Sequence, residues 1–134
     1  FIFAGSGPLE EQVNSVANIK NVGFQRSEAL EKLIREARFS VYPSEWYENC
    51  PFSVMESQIY GTPVLGANIG GIPELIEEGK TGALFESGNA ADLKNKIENL
   101  WNDRAALNAM SENCTPDRFM SLEGYAKELM NYYG

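Results

Sequence analysis

A chain of 134 residues, 43% of them hydrophobic, is long enough for one domain with a buried core, and it contains no apolar run of membrane-spanning length. Its formal net charge of −8 argues against nucleic acid and anionic membrane surfaces as partners. It has no histidine, and its two cysteines, Cys50 and Cys114, form no metal-ligand spacing, so no metal is expected and reduced cytosolic thiols are the simplest reading. No secretory signal pattern opens the chain, and the lack of a methionine before Phe1 predicts a piece of a longer protein.

Phe1 to Ala4 reads as a short apolar strand running into the turn Gly5-Ser6-Gly7-Pro8, and Leu9 to Ala17 as a helix. Ile19 to Phe24 is a second strand. Ser27 is expected to cap a helix whose Leu30, Leu33, Ile34 and Ala37 share one face. Strand 39–43, helix 51–60, strand 63–66, helix 72–78 and strand 82–85 follow in turn. Asn89 caps the next helix, with Leu93, Ile97, Leu100 and Trp101 on its buried stripe. A further helix covers 104–112, and the last runs from about Asp117 to 133 with Leu122, Tyr125, Ala126, Leu129 and Met130 on one side. Strands alternating with helices in this way predict a doubly wound, mostly parallel α/β sheet of about five strands flanked by helices, similar to a Rossmann fold.

Glu48 and Glu56, separated by seven residues, straddle the expected turn from strand 39–43 into helix 51–60. Pro51 suits the first helical position, where its missing N–H would go unpaired in any case. One carboxylate then lies in the loop above a helix N-terminus and the other about one and a half turns into the helix. Free N–H groups and the positive end of the helix dipole gather between them and favour a bound phosphate. Accepting hydrogen bonds from sugar hydroxyls gives two carboxylates a reason to sit beside such an anion site.

Other motifs carry plainer readings. Gly5 and Gly7 suggest a dinucleotide fingerprint, but Glu10 occupies the third glycine position and no acidic residue ends the next strand, so a tight turn fits better. Gly70 and Gly71 fit the start of a helix at Ile72-Pro73 as well as a ligand contact. Trp46 and Tyr47 are expected to cover the loop, Cys50 to act as a small apolar spacer, and Tyr125, Met130 and Tyr133 to pack in the core.

Ala4-Gly5-Ser6-Gly7-Pro8, Val22-Gly23-Phe24, Tyr42-Pro43-Ser44, Glu48-x7-Glu56, Gly61-Thr62-Pro63-Val64, Gly70-Gly71-Ile72-Pro73-Glu74 and Gly79-Lys80-Thr81-Gly82 occur in that order. Each is weak alone, and the ordered series is strong. By it the chain resembles the C-terminal, donor-binding domain of retaining glycosyltransferases of the GT-B fold, group 1, also called family 4. The resemblance covers most of residues 1–134 as a partial nucleotide-sugar-binding domain.

The resemblance implies transfer of a sugar, of hexosyl type, from a nucleoside-diphosphate sugar to a glycan or lipid-linked acceptor with retained anomeric configuration, without metal or cofactor. It gives Glu48 the catalytic-site position beside the donor sugar hydroxyls, and Glu56 the ribose. Amides around Cys50, Phe52 and Ser53 would meet the diphosphate or the sugar. The turn at Phe24 and Gln25 would lie against the base, and Gly70 and Gly71 would approach the donor from the other side of the cleft. It further implies that a first strand and helix, bearing a Gly-Arg turn and a downstream Lys that grip the diphosphate, are missing, as is the N-terminal acceptor-binding lobe. Arg26, Arg35, Arg38 and Lys32 stand in the wrong context to replace that pair. The isolated chain is therefore expected to be inactive. Its strands 1–4 and 39–43 would have to pair directly, leave a slot or borrow a strand, and an exposed apolar face on 117–133 would follow from truncation. In the family the first Glu is commonly followed by Gly-Phe-Gly, with Glu-Asn-x-Pro versions also found, and Asn49-Cys50-Pro51 stands here; proline donates no N–H, which moves the contact to Phe52 or Ser53. Surface polysaccharide assembly and a cytoplasmic location, peripheral to the inner membrane in a longer parent, are expected on family habit, with no direct membrane contact from this segment.

Three alternatives stay open. One is a non-catalytic Rossmann-like module, either nucleotide-binding or for interaction alone, and the interaction module would bind no nucleotide even when complete. A nicotinamide-binding domain would prefer NAD, and a glycoside hydrolase would use the two Glu as an acid/base pair.

Overall fold

A computed structural model describes residues 1–134. The chain is parallel α/β and folds as two compact units, Phe1–Glu36 and Ala37–Gly134. Its five strands form two parallel sheets, one in each unit, instead of one continuous sheet. No helix is long and apolar enough to cross a membrane.

In the first unit, β1 (Ile2–Phe3) pairs with β2 (Lys20–Asn21), Ile2 opposite Lys20. Between them lies α1 (Glu10–Asn14), and α2 (Ser27–Glu36) follows. The helix expected over 9–17 ends early. Ser15 donates its hydroxyl to the Gln12 carbonyl at 2.7 Å and Asn18 takes a positive φ of 69°, local arrangements that compete with the helical ladder. The strand expected over 19–24 stops where the Asn21 side chain accepts from the Gly23 N–H at 3.0 Å. Ser27 is not a preceding cap but the first residue of α2, with φ 48°, and Ala37 lies past the helix end.

In the second unit, β3 (Ser40–Tyr42), β4 (Val64–Ala67) and β5 (Gly82–Phe85) lie in the order β3-β4-β5, all parallel. All four residues of β4 are buried, as a strand flanked by strands and covered by helices requires. The β4–β5 ladder sets Val64 opposite Gly82, where a Cβ would overlap the Val64 carbonyl oxygen. Only glycine allows that approach.

The covering helices are α3 (Phe52–Ile59), α4 (Ile72–Leu75), α5 (Ala90–Asn102), α6 (Arg104–Asn113) and α7 (Leu122–Tyr133). Leu65, Val54, Ile72 and Val64 are at most 1% exposed and centre the core. Pro51 proves to be the N-cap of α3 with ψ 109°, and Phe52 its first residue. α4 ends at Leu75 because Ile76 turns extended and buries itself, 4% exposed. Asn89 caps α5 as expected, its side chain accepting from the Asp92 N–H at 3.0 Å. Leu93 and Ile97 pack on the core, but Trp101 is 54% exposed, with the Arg38 guanidinium 3.9 Å from its ring centroid.

The C-terminal segment differs most. Residues Pro116–Arg118 form a 3-10 turn, and the last helix starts only at Leu122, where the Ser121 hydroxyl accepts from the Gly124 N–H at 3.0 Å. α7 buries no residue. Tyr125, Met130 and Tyr133, read from their spacing as core, are exposed. The 3-10 turn packs against α3, and its Arg118 pairs with Glu77 at 2.6 Å. The Arg118 hydrogen bond, helped by Lys80, holds the Glu77 carboxyl below its ordinary 4.5.

Two expectations follow. Leu65→Ala should destabilise the chain by about 2–5 kcal/mol in urea unfolding, whereas Leu122→Ala, at an exposed site, should cost under about 0.5 kcal/mol. Because the folded value of Glu77 is depressed, its pair stabilises the fold above the ordinary carboxylate range and is lost as pH falls through the lower folded value. Carbon-13 titration of Arg118→Ala should find Glu77 shifted back up; an unchanged midpoint would show that Arg118 is not the cause.

Candidate functional site

Parallel strands deliver their following loops to one edge of the sheet, and in the second unit these are residues 43–51, 68–71 and 86–89. Hydrogen bonds tie the three loops together. The Gly71 N–H donates to the Glu48 carbonyl at 2.7 Å, and the Asn68 N–H to the Phe85 carbonyl at 2.8 Å. The Ser87 hydroxyl donates to the Ser44 carbonyl at 3.3 Å.

Within the first loop, Glu48 is half-buried. The Tyr42 hydroxyl lies 3.5 Å and the Ser44 hydroxyl 3.3 Å from its Oε1. These are long for O–H···O bonds, so they orient the carboxylate without saturating its roughly four acceptor positions. The Glu48 N–H donates to the Trp46 carbonyl at 2.8 Å, which folds the loop back on itself. Trp46 and Tyr47, expected to cover the loop, are 81% and 87% exposed. The backbone turn already satisfies the loop.

α3 works on two faces. Val54, Ser57 and Gln58 are buried against the sheet. Ser57 Oγ meets Ser40 Oγ at 2.6 Å, and Gln58 Nε2 donates to the Leu75 carbonyl at 2.8 Å. Phe52, Ser53 and Glu56 are exposed, and their i, i+3 and i, i+4 spacings set them on one side of the helix. Pro51 has no side chain that can cap, so the first N–H groups of α3 at Phe52 and Ser53 receive nothing from it. Glu56 thus stands on the same stripe as the open helix start, with the dipole's positive end about 6 Å below it.

Gly70 and Gly71 pack against main chain. A Cβ on Gly70, whose φ is +57°, would lie 2.6 Å from Glu48 O, and one on Gly71 would overlap Asn49 O. Cys50, read as an apolar spacer, is exposed, with its thiol 3.6 Å from Met55 Sδ. Phe24 and Gln25 belong to the first unit. Phe24 is 63% exposed beneath the Arg26 guanidinium, 4.9 Å away, and Gln25 Nε2 donates to the Val22 carbonyl at 2.5 Å. Arg35 and Lys32 pair locally with Glu31 and Glu36. No three His, Cys, Asp or Glu side chains cluster as metal ligands would.

The sequence reading missed the hydroxyls of Tyr42 and Ser44 on Glu48 and the Ser87 tether. The first two stand in the Tyr42-Pro43-Ser44 motif and precede Glu48 by six and four residues, a usable signal. Ser87 comes from 43 residues away and leaves no local trace.

The thiols differ in a measurable way. Burial pushes the Cys114 thiol up to about 11 from 9.0, which lowers its thiolate fraction at a given pH. Iodoacetamide near neutral pH should modify Cys50 alone in the folded chain and both cysteines in urea. Equal native rates would place Cys114 outside the core.

The sequence profile of the family described as glycosyl transferases group 1 matches residues 1–115. The sulfoquinovosyl transferase SQD2 of Arabidopsis thaliana is 33% identical over 108 residues, 76% of this chain and 21% of that protein. The sucrose-phosphate synthase of Thermosynechococcus elongatus superposes with TM-score 0.85 at 24% identity, over 98% of this chain and 37% of that one. Alr3699/HepE of Anabaena, solved in complex with UDP-glucose, superposes with TM-score 0.74 at 25% identity, over 84% of this chain and 34% of that one. The chain thus spans a fifth to about a third or so of these relatives' length.

Proposed function

The chain belongs to the group 1 glycosyl transferases, and on that premise we propose that its second unit forms part of the donor site of a retaining enzyme that takes a sugar from a nucleoside-diphosphate sugar. The observation that carries the reading is the pairing of Glu48, half-buried and only loosely held by two hydroxyls, with the exposed Phe52-Ser53-Glu56 stripe at the start of α3.

Each group has a role suited to its chemistry. Glu56 accepts hydrogen bonds from the ribose hydroxyls. The N–H groups of Phe52 and Ser53, with Cys50 beside them, face the diphosphate, whose charge the helix dipole favours. Glu48 accepts from hydroxyls of the donor sugar and fixes its reacting carbon against the acceptor. When the bond to the sugar breaks, negative charge grows on the leaving diphosphate, and donors already aimed at it lower the barrier. The acceptor hydroxyl attacks with retention of the anomeric configuration and without metal. In this reading the stronger cationic grip on the diphosphate comes from outside these residues, so the isolated chain binds weakly and does not transfer sugar. Hexosyl transfer to a glycan or lipid-linked acceptor on the cytoplasmic side belongs to the same proposal. A fold neighbour solved with UDP-glucose supports the donor class.

The test is an NMR titration with UDP, GDP, ADP and NAD, repeated on Glu56→Ala. One nucleoside diphosphate should bind at about millimolar affinity, shifting amides of residues 48–56, and the substitution should weaken it by about tenfold or more. Preference for NAD, or binding indifferent to Glu56→Ala, would sink the proposal.

A further inference from the structure

We propose that Gly70 and Gly71 are positioning residues for Glu48, acting through its main chain. The inference rests on the reading of Glu48 given above, but its geometry stands without a ligand. The Gly71 N–H donates to the Glu48 carbonyl at 2.7 Å, a bond that joins the loop after β4 to the loop after β3. Both glycine α-carbons face that loop at distances no side chain tolerates. A Cβ on Gly70 would lie 2.6 Å from Glu48 O and 2.9 Å from Glu48 N, and one on Gly71 would overlap Asn49 O.

These obstacles are backbone atoms, which cannot rotate away as a flexible side chain can. Room for a methyl group is made only by moving residues 47–49. Such a shift would carry the Glu48 carboxylate off the Tyr42 and Ser44 hydroxyls, which at 3.5 and 3.3 Å have little reach to spare. Gly71 is also buried, so its α-carbon faces packed protein and not an open cleft. Absence of a side chain at these two positions thus sets where the carboxylate of a third residue stands.

Gly71→Ala and Gly70→Ala, compared with Gly82→Ala, separate this role from a general need for glycine. Gly82 also packs against backbone, at Val64 O on the β4–β5 ladder, away from the Glu48 loop. In the ligand-free chain, NMR should show the Glu48 and Asn49 amides, the Glu48 carboxyl carbon and the Tyr42 ring displaced in both loop variants and unmoved in Gly82→Ala. If Gly71→Ala does not fold, Gly70→Ala, at an exposed site, decides the matter. With UDP and UDP-glucose as probes, the loop variants should weaken UDP-glucose by about tenfold and UDP by less than about twofold, with no further loss when Glu48→Ala is added. Unmoved Glu48 signals, or equal weakening of both probes, would overturn the inference. Failure of UDP, GDP and ADP alike to bind the unaltered chain would instead fail the donor-site reading, and the ligand-free spectra would still judge the positioning role.

Discussion

The site depends on the parallel pairing of β3, β4 and β5. Parallel strands all end on the same edge, so three loops far apart in sequence become neighbours without any contact being selected between them. β4 makes this work by being buried on every residue, which fixes its register against both partners through packing as well as hydrogen bonds. Gly82 lets β5 close onto β4, and α3 covers the sheet from one side with Val54, Ser57 and Gln58. Hydrogen bonds from Gly71, Asn68 and Ser87 then hold the loops in one arrangement.

α3 has to serve core and surface together. Its buried stripe holds the helix on the sheet, and its other stripe carries Phe52, Ser53 and Glu56. The family's donor chemistry, under the reading proposed, thus stands on a rigid helix and its Glu48 on a loop that is rigid only because neighbours brace it. Surface ion pairs such as Lys32–Glu36 and Lys94–Glu98 add little to this, being exposed and 3.8 Å apart.

Much of the fold was legible because its signals are local. Strand 82–85 and the Asn89 cap were read as they stand, since an apolar run bounded by glycine and a capping side chain act over a few residues. Boundaries failed where distant packing decides. Periodicity carries α4 on to 78, but the core draws Ile76 out extended. Helical spacing made Tyr125 and Met130 look like core, yet spacing says only that residues share a face, not that anything lies against it. At the site, the two glutamates were legible as a motif on a strand-to-helix turn. The glycine pair was noticed, but its closeness to Glu48 and Asn49 main chain is a tertiary fact that no pattern of residue types records.

Gln58 gives the arrangement one more property. It bonds the Leu75 carbonyl at the end of α4, and α4 begins beside Gly71, which bonds Glu48. A closed circuit therefore runs from Glu48 through Gly71, α4 and Gln58 into α3 and out to Glu56, separate from the chain that joins the two acids directly. The spacing of the carboxylates is gauged by this circuit as well as by the short arc between them. Asn49 and Cys50 hold exposed side chains on that arc, so a change of side chain at those two positions is one the architecture can absorb without resetting the distance between its two acids.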